Sequence, residues 1–357
     1  MNLDRILVTG GAGFVGSHLA QRLKQEHPDR EVLVLDNLLR RGSELNLPKL
    51  REAGVVFVHG DIRCREDLAN LPPFDLLIEC SAEPSVHAGQ SGSPLGLINL
   101  NLGGTVHCLE AARERGAALL FLSTSRVYPI AALNAARVHE GETRFVLEEE
   151  QDLPGLSAEG TSEAFPLEGA RSFYGSTKLA GELLLQEYVF SFGMPALINR
   201  CGVLAGPGQM GKVDQGVVTL WVARHIFGIP LQYTGWGGKG KQVRDMLHVE
   251  DLFQLLQKQL ARPELWDGRV YNVGGGLEVS ASLLELTGLC RQATGKEIPI
   301  GSSPKTNPVD VRIYLSDARR VREEFDWSPQ HSVRDIVTAI RDWIEENREE
   351  LRPIFCS

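Results

Sequence analysis

The chain has 357 residues, enough for one large domain or two closely associated ones around a continuous hydrophobic core. Its 43% hydrophobic and 23% charged residues are ordinary for a globular protein, and its formal net charge of −9 argues against a nucleic-acid partner. No run reaches the ~20 apolar residues of a membrane span. The six cysteines are scattered, and MNLDRILVTGG leads directly into a strand, so we expect reduced thiols and a cytoplasmic protein without a membrane partner.

Short apolar runs separated by segments of helical periodicity dominate the first half. The runs are RILVTG, EVLVLD, VVFVHGD, DLLIEC and ALLFLST. PALINR at 195–200 adds a sixth, reached through a helical stretch from about Ser172 to Phe192. Apolar runs without polar alternation suit strands buried on both faces. The pattern predicts the α/β class, with a Rossmann-type doubly wound parallel sheet.

Beyond Arg200 the alternation loosens into glycine-rich segments, which predicts a smaller C-terminal α/β lobe that binds the substrate. We place the dinucleotide-binding domain at 1–200, with a returning segment at about 246–275, and the substrate lobe at 201–245 and 276–357. The polar segment 129–172 is too long for an ordinary loop, and we expect it to cover the active site, with disorder as the alternative.

The first predicted strand runs into TGGAGFVG, with glycines at 10, 13 and 16. Glycines allow the tight turn and the close approach of backbone N–H groups to a pyrophosphate at the start of a helix. Asp36, at the end of the second strand, can accept both ribose hydroxyls and repel a 2′-phosphate. The pattern predicts NAD, while Arg40 and Arg41 leave NADP as an alternative.

Asp61 and Ile62, after the third strand, are predicted to hold the adenine edge. The alternative for Asp61 is a simple cap at the end of the strand.

Tyr174 and Lys178 lie four residues apart in YGSTK on a predicted helix, so both side chains project from one face. A free tyrosine, with a pKa of ~10, is a poor base, but a neighbouring ammonium and the positive nicotinamide ring favour the phenolate. A chance surface pair is the alternative. The glycine loop, and a fifth strand that ends in Ser123 and Thr124, favour a catalytic pair.

Together these segments resemble the extended short-chain dehydrogenase/reductase family, which includes NAD-dependent epimerases and dehydratases, over essentially the whole chain. The resemblance rests on TGGAGFVG, the NxxGT segment Asn101–Thr105, STSRVY, YGSTK, and RDMLHVED at 244–251. It implies that Thr124 hydrogen-bonds the reacting oxygen, Tyr174 is the base, and Lys178 also holds the nicotinamide ribose. The family also implies a homodimer or a dimer of dimers.

Two positions after Thr124 discriminate within the family. Nucleotide-sugar 4,6-dehydratases carry an Asp-Glu pair there, whereas this chain has Ser125 and Arg126, and arginine cannot act as a general base. The resemblance is strongest to the CDP-tyvelose 2-epimerase (CDP-paratose 2-epimerase) subgroup, through DNLLRRG at 36–42, GETR, DQG at 214–216, GKQVRDMLH at 240–248 and DVR at 310–312.

This subgroup implies epimerisation of a nucleotide-diphosphate sugar at C2. The reaction would proceed by transient oxidation, with tightly bound NAD. A UDP-sugar 4-epimerase, a nucleotide-sugar reductase and a non-enzymatic NAD-binding sensor are the alternatives.

The remaining expected contacts fall into two sets. The further cofactor-binding residues are Phe14, Val15, Asn37, Ala82, Asn101 and Cys201, together with Tyr174 and Lys178 of the catalytic pair. The substrate-binding residues are Ser125, His87, Gln215, Arg244, Asp310 and Arg312, of which the two arginines match positions that bind the diphosphate in relatives. Surface salt bridges are the alternative for the arginines, and structural roles for His87 and Gln215. Nine histidines without ligand spacing argue against a metal site.

Overall fold

Helices and strands alternate along most of the chain. The computed structural model describes residues 3–211 and 215–356. Up to Thr124 the elements are β1 (Arg5–Thr9), α1 (Phe14–Glu26), β2 (Glu31–Asp36), α2 (Leu47–Glu52), β3 (Val56–His59), α3 (Arg65–Ala69), β4 (Leu76–Glu79), α4 (Leu95–Ile98), α5 (Gly104–Arg115) and β5 (Ala118–Thr124). Up to Cys201 they are α6 (Ile130–Asn134), β6 (Val138–Glu140), β7 (Phe145–Leu147), β8 (Leu156–Ser157), β9 (Gly160–Thr161), α7 (Phe173–Phe192) and β10 (Ala196–Cys201).

The rest of the chain contributes a similar mixture. Its elements are β11 (Val203–Ala205), α8 (Val217–Phe227), β12 (Leu231–Thr234), β13 (Val243–His248), α9 (Val249–Leu260), β14 (Asp267–Val273), β15 (Ser280–Ser282), α10 (Leu283–Thr294), β16 (Ile300–Ser303), β17 (Ile313–Tyr314), α11 (Arg319–Phe325), α12 (Val333–Glu346) and α13 (Arg348–Phe355). No helix in the described part of the chain is long and apolar enough to cross a membrane.

Seven strands form the main sheet of the described residues, in the order β14-β10-β5-β4-β1-β2-β3. β1 pairs in parallel with β2 and β4, β2 with β3, and β4 with β5. Every residue of β4, β5 and β10 is buried, because helices cover both faces of the sheet. The predicted doubly wound α/β fold is confirmed, and the six apolar runs are the strands expected.

The chain forms two units. The first comprises residues 3–127, 172–200 and 253–271. Its core joins strand residues such as Leu77 and Phe121 to Leu109 of α5 and Leu185 of α7. The second comprises 128–171, 201–252 and 272–356, within the described residues, and is similar in length. The domain boundaries given above stay a prediction.

In the second unit, β13 lies between β11 and β15 and also pairs with β17, while α8, α10 and α12 pack together. The long polar segment belongs to this unit and is folded, with α6 and the two-stranded pairs β6-β7 and β8-β9. Whether it covers the active site stays a prediction.

Arg144 anchors the folded segment to the start of α10. Its Nε donates to Glu285 Oε1 at 2.9 Å and its Nη2 to the carbonyl oxygen of Ser280 at 2.8 Å. Burial opposes the charge on Glu285, but the hydrogen bonds from Arg144 and Thr143 lower the pKa of Glu285 to about 2. The carboxylate therefore stays charged at neutral pH and holds the GETR segment in place.

Candidate active site

The glycine loop between β1 and α1 has no room for a side chain at Gly10 or Gly16. Gly10 has a φ of +64°, and a Cβ there would lie 2.9 Å from the backbone that follows β4. A Cβ on Gly16 would lie 2.3 Å from the carbonyl oxygen of Gly10. Gly13 is the N-cap of α1, and no side chain of the described residues caps this helix end. The N–H groups of the first turn are therefore available to an anion. The loop, with Phe14 and Val15 in that turn, fits a dinucleotide pyrophosphate.

Asp36 ends β2 beside this loop and is held by two backbone groups. Its Oδ2 accepts a hydrogen bond from the N–H of Ala12 at 3.0 Å, and its Oδ1 accepts one from the N–H of Leu38 at 2.8 Å. Each carboxylate oxygen has a further lone pair, so Asp36 can still accept hydrogen bonds from ribose hydroxyls. Its negative charge disfavours a 2′-phosphate, which fits NAD.

Asp61 connects the loops that follow β2 and β3. It accepts a hydrogen bond from Asn37 Nδ2 at 2.8 Å and bonds from the side chain and backbone N–H of Arg63. The Arg63 side chain is the main reason that the pKa of Asp61 lies far below its usual range. Ile62 is buried against Gly104 of α5. The structure thus brings Asn37, Asp61 and Ile62 together. The carboxylate of Asp61 already accepts hydrogen bonds from Asn37 and Arg63.

Asn101 fixes the loop that carries Ala82. It lies in a π-helical turn, Asn99–Gly103, between α4 and α5, and it is fully buried. Its Oδ1 accepts from the N–H of Glu83 at 2.9 Å, and its Nδ2 donates to the Glu83 carbonyl at 3.1 Å and to Thr177 Oγ1 at 3.3 Å. Asn101 therefore holds the predicted cofactor loop in place and links that loop to α7. The link to α7 was not predicted from the sequence.

Thr124, Tyr174 and Lys178 are all buried in the first unit, at 8%, 9% and 2% exposure. Tyr174 and Lys178 lie one turn apart near the start of α7, which Ser172 caps by accepting a hydrogen bond from the third N–H of the helix at 3.1 Å. α7 packs against β5, which ends at Thr124, and against the 3₁₀ turn Ser125–Val127 that follows. The predicted triad is therefore carried by two contacting elements.

Lys178 is paired with a buried carboxylate that sequence reasoning missed. Glu79 ends β4, and its Oε2 accepts from Lys178 Nζ at 3.1 Å. Nζ also lies 4.4 Å from the ring centroid of Phe121. Burial opposes the charge on Lys178, but attraction by Glu79 and Tyr174 outweighs it, and the pKa of Lys178 is raised. The available signal was an acidic residue inside the apolar run DLLIEC.

Ser125 and Arg126 form the turn after Thr124. The N–H of Arg126 donates to Thr124 Oγ1 at 3.2 Å, and neither position carries a carboxylate. His87 lies in the loop after β4, where its N–H donates to Ser85 Oγ at 3.2 Å. Both Ser125 and His87, which the sequence predicts to bind the substrate, belong to the first unit.

The second unit brings Arg244, Asp310 and Arg312 together through the pairing of β13 with β17. Arg244 Nη2 donates to Asp310 Oδ1 at 2.7 Å, and both side chains are largely buried. Burial lowers the pKa of Arg244, although an arginine remains charged in proteins. Arg312 Nη2 donates to the carbonyl oxygens of Asn134 and Ala136 at 3.1 and 3.2 Å. This arginine cluster is a local cationic site in an acidic protein.

Two aromatic residues in the arginine cluster were missed from the sequence. The Arg312 guanidinium lies 5.5 Å from the Trp236 ring centroid and 5.8 Å from that of Phe145. Trp236 Nε1 also donates to Asp310 Oδ2 at 3.1 Å. Arg312 Nε is buried and has no hydrogen-bond partner in the described chain. The one available signal was the tryptophan in the glycine-rich segment GWGGKGKQ.

The remaining predicted residues also lie in the second unit. Gln215 has a buried Oε1 without a hydrogen-bond partner among residues 3–211 and 215–356. Asp214, from the DQG segment, lies outside the described residues. Cys201 is buried at the end of β10.

Residues 6–274 match the family model described as the NAD dependent epimerase/dehydratase family. The chain belongs to the NAD-dependent epimerase/dehydratase family. NAD is therefore its cofactor, and the resemblance stated from the motifs is confirmed. The glycine loop and Asp36, described above, are the features of this family member that fit NAD.

Members of the epimerase/dehydratase family with different activities are similar to this chain. CDP-paratose 2-epimerase from Salmonella typhi is 32% identical over 95% of this chain and 98% of that protein. dTDP-glucose 4,6-dehydratase from Mycobacterium tuberculosis is 29% identical, covering 98% and 96%. A solved structure of UDP-glucose 4-epimerase from Thermus thermophilus, in complex with NAD, is 27% identical, with a TM-score of 0.75 and coverage of 96% and 99%. The chain is an enzyme of the NAD-dependent nucleotide-sugar epimerase/dehydratase type.

Proposed function

We propose that the chain is an NAD-dependent epimerase that inverts C2 of a CDP-linked sugar of the paratose/tyvelose type. The similarity to CDP-paratose 2-epimerase, 32% over 95% of the chain, supports this reaction. The turn after Thr124 is the observation that argues against a dehydratase. Ser125 and Arg126 supply no carboxylate there, and elimination of water needs a general acid and a general base.

In this proposal, bound NAD supplies the reversible hydride transfer between a carbinol and a ketone. Tyr174 takes the proton of the sugar hydroxyl and later returns it, and Thr124 hydrogen-bonds the reacting oxygen. Lys178 holds the nicotinamide ribose, and its ammonium favours the deprotonated form of Tyr174. Return of hydride to the opposite face requires the keto sugar and the cofactor to stay bound, so we expect tight NAD binding.

The arginine cluster is proposed to hold the nucleotide diphosphate. The two guanidinium groups attract a diphosphate locally although Asp310 offsets one of their charges, which reconciles an anionic substrate with a net charge of −9. The buried Nε of Arg312, unpartnered within the described residues, supplies a further donor. Asp310 is assigned to the nucleotide ribose. The sugar itself is assigned to Ser125, His87 and Gln215. The cofactor is assigned to the predicted residues of the first unit and to Cys201.

A homodimer is also proposed, with α7 in the interface. Leu183 and Phe190 lie two turns apart on this helix and are 56% and 88% exposed, and Phe192 is 58% exposed. Burial of such side chains against a second copy removes apolar area from water. The cytoplasmic location stays a prediction.

A panel of CDP-, GDP- and UDP-sugars tests the reaction. We expect the purified protein to convert a CDP-sugar into its C2 epimer without added NADH or NADPH, as read by analysis of the released sugars. Inversion at C4 of a UDP-sugar would establish the 4-epimerase alternative instead. A 4-keto-6-deoxy product, or a stoichiometric need for NADPH, would contradict the proposal.

A further inference from the structure

The Glu79–Lys178 pair lies next to the cofactor-binding residues but includes a residue to which no role has been assigned. Glu79 and Lys178 are 99 positions apart in the chain, and their side chains are 0% and 3% exposed. We propose that Glu79 is a positioning residue for cofactor binding: its carboxylate keeps Lys178 a charged hydrogen-bond donor for the NAD ribose. The proposal rests on the role given above to Lys178.

The burial of Lys178 makes its charge dependent on Glu79. A lysine removed from water tends to lose its proton, because a low-dielectric surrounding disfavours the ammonium. The Phe121 ring, 4.4 Å from Nζ, offers only weak compensation. Attraction by Glu79 is the largest influence that raises the pKa of Lys178. Without that carboxylate the ammonium is left largely uncompensated.

A second buried ion pair involving α7, Glu182 with Arg200, has the contacts expected of a purely structural pair. Glu182 accepts hydrogen bonds at both oxygens, from Ser123 and from two nitrogens of Arg200, of which Nη2 lies 2.7 Å from Oε2. In contrast, Glu79 Oε1 is buried and has no hydrogen-bond partner in the described part of the chain. Glu182 therefore ties three elements together, whereas the cost of burying Glu79 is offset mainly through Lys178.

The other titratable groups around the pair do not replace Glu79. Cys108 of α5 has a pKa raised well above its usual value by burial, so it remains a neutral thiol. Cys80 follows Glu79 and raises the pKa of Lys178 less than Glu79 or Tyr174 does. Tyr174, on the same helix, carries a negative charge only as the phenolate. Burial also raises the pKa of Glu79, against the attraction of Lys178.

Calorimetry of NAD binding to the nucleotide-free protein, from about pH 6 to about pH 10, tests the proposal. The upper end of this range lies close to the pKa of an unperturbed lysine, ~10.4. The wild-type affinity should change little over this range. Glu79→Gln keeps the size of the side chain and its acceptor oxygen but removes the charge. Its NAD affinity should fall at least ~10-fold as the pH rises and Lys178 deprotonates. At about pH 9, the variant should take up a proton when it binds NAD, because bound NAD favours the charged form of Lys178.

Glu182→Gln is the matched control, because it also removes a buried carboxylate from a buried cation. Arginine does not deprotonate, so this variant should keep the wild-type pH dependence even if it is less stable. Glu79→Asp, which retains the charge, should do the same.

Identical pH dependence in Glu79→Gln and the wild type would overturn the proposal, as would an equal shift in Glu182→Gln. If Glu79→Gln does not fold, the wild type alone decides. Proton uptake by the wild type on NAD binding at about pH 9, measured in buffers of different ionisation enthalpy, would show that Lys178 is not held charged. No sugar is used, so failure of the epimerase proposal leaves this test intact.

Discussion

Tyr174→Phe should reduce turnover at least ~100-fold, because it removes the only group assigned to take the proton of the sugar hydroxyl. The ring remains in its buried position, so packing at the start of α7 is retained. NAD binding should persist, since the glycine loop and Asp36 are unchanged. The measurements are kcat on the sugar identified in the substrate panel and the NAD content of the purified variant.

Tyr188→Phe is the matched control on the same helix. The Tyr188 hydroxyl donates to Glu110, and burial raises the pKa of Tyr188 to about 12, so it is no base at neutral pH. Its loss should leave turnover close to that of the wild type. Full activity in Tyr174→Phe would remove this tyrosine from the mechanism.

Gly16→Ala should weaken NAD binding at least ~10-fold and destabilise the protein by about 1–3 kcal/mol. The new Cβ would lie 2.3 Å from the carbonyl oxygen of Gly10 and 2.8 Å from its carbonyl carbon. Both are backbone atoms, so the loop can relieve the clash only by moving away from α1, the helix proposed to bind the pyrophosphate. NAD titration and thermal unfolding measure the two effects.

Gly96→Ala, within α4, provides the comparison. A Cβ at Gly96 has no atom within 4 Å, and alanine favours helices over glycine by about 1 kcal/mol. NAD affinity should be unchanged and stability equal or slightly higher. An unaltered NAD affinity in Gly16→Ala would show that the glycine loop does not bind the cofactor.

The fold and the cofactor loop were predictable because they depend on local patterns. Apolar runs such as EVLVLD read as buried strands, and a glycine loop between a strand and a helix is a short contiguous motif. The spacing of Tyr174 and Lys178 needs only the geometry of one helix. The residues that form each of these features lie within a few positions of each other, so no tertiary information is required.

Contacts between distant segments were not predictable. Glu79 and Lys178 meet only because β4 and α7 belong to the same folded unit, and a lone acidic residue in an apolar run does not identify its partner. Likewise, Arg144 finds Glu285 after 141 residues, and Trp236 reaches Asp310 after 74. Folding of the polar segment depends on such contacts, which its composition does not reveal.

Epimerisation by hydride transfer keeps the hydrogen of the inverted carbon inside the active site, whereas proton abstraction exchanges that hydrogen with water. The turn after Thr124 supplies no carboxylate for proton abstraction from carbon, so hydride transfer is expected. A CDP-sugar deuterated at C2 should therefore yield a C2 epimer that retains its deuterium, and reaction in deuterated water should introduce none at C2. Loss of the label to solvent would contradict hydride transfer at C2, and inversion at C4 with the C2 label untouched would contradict the assignment of the carbon.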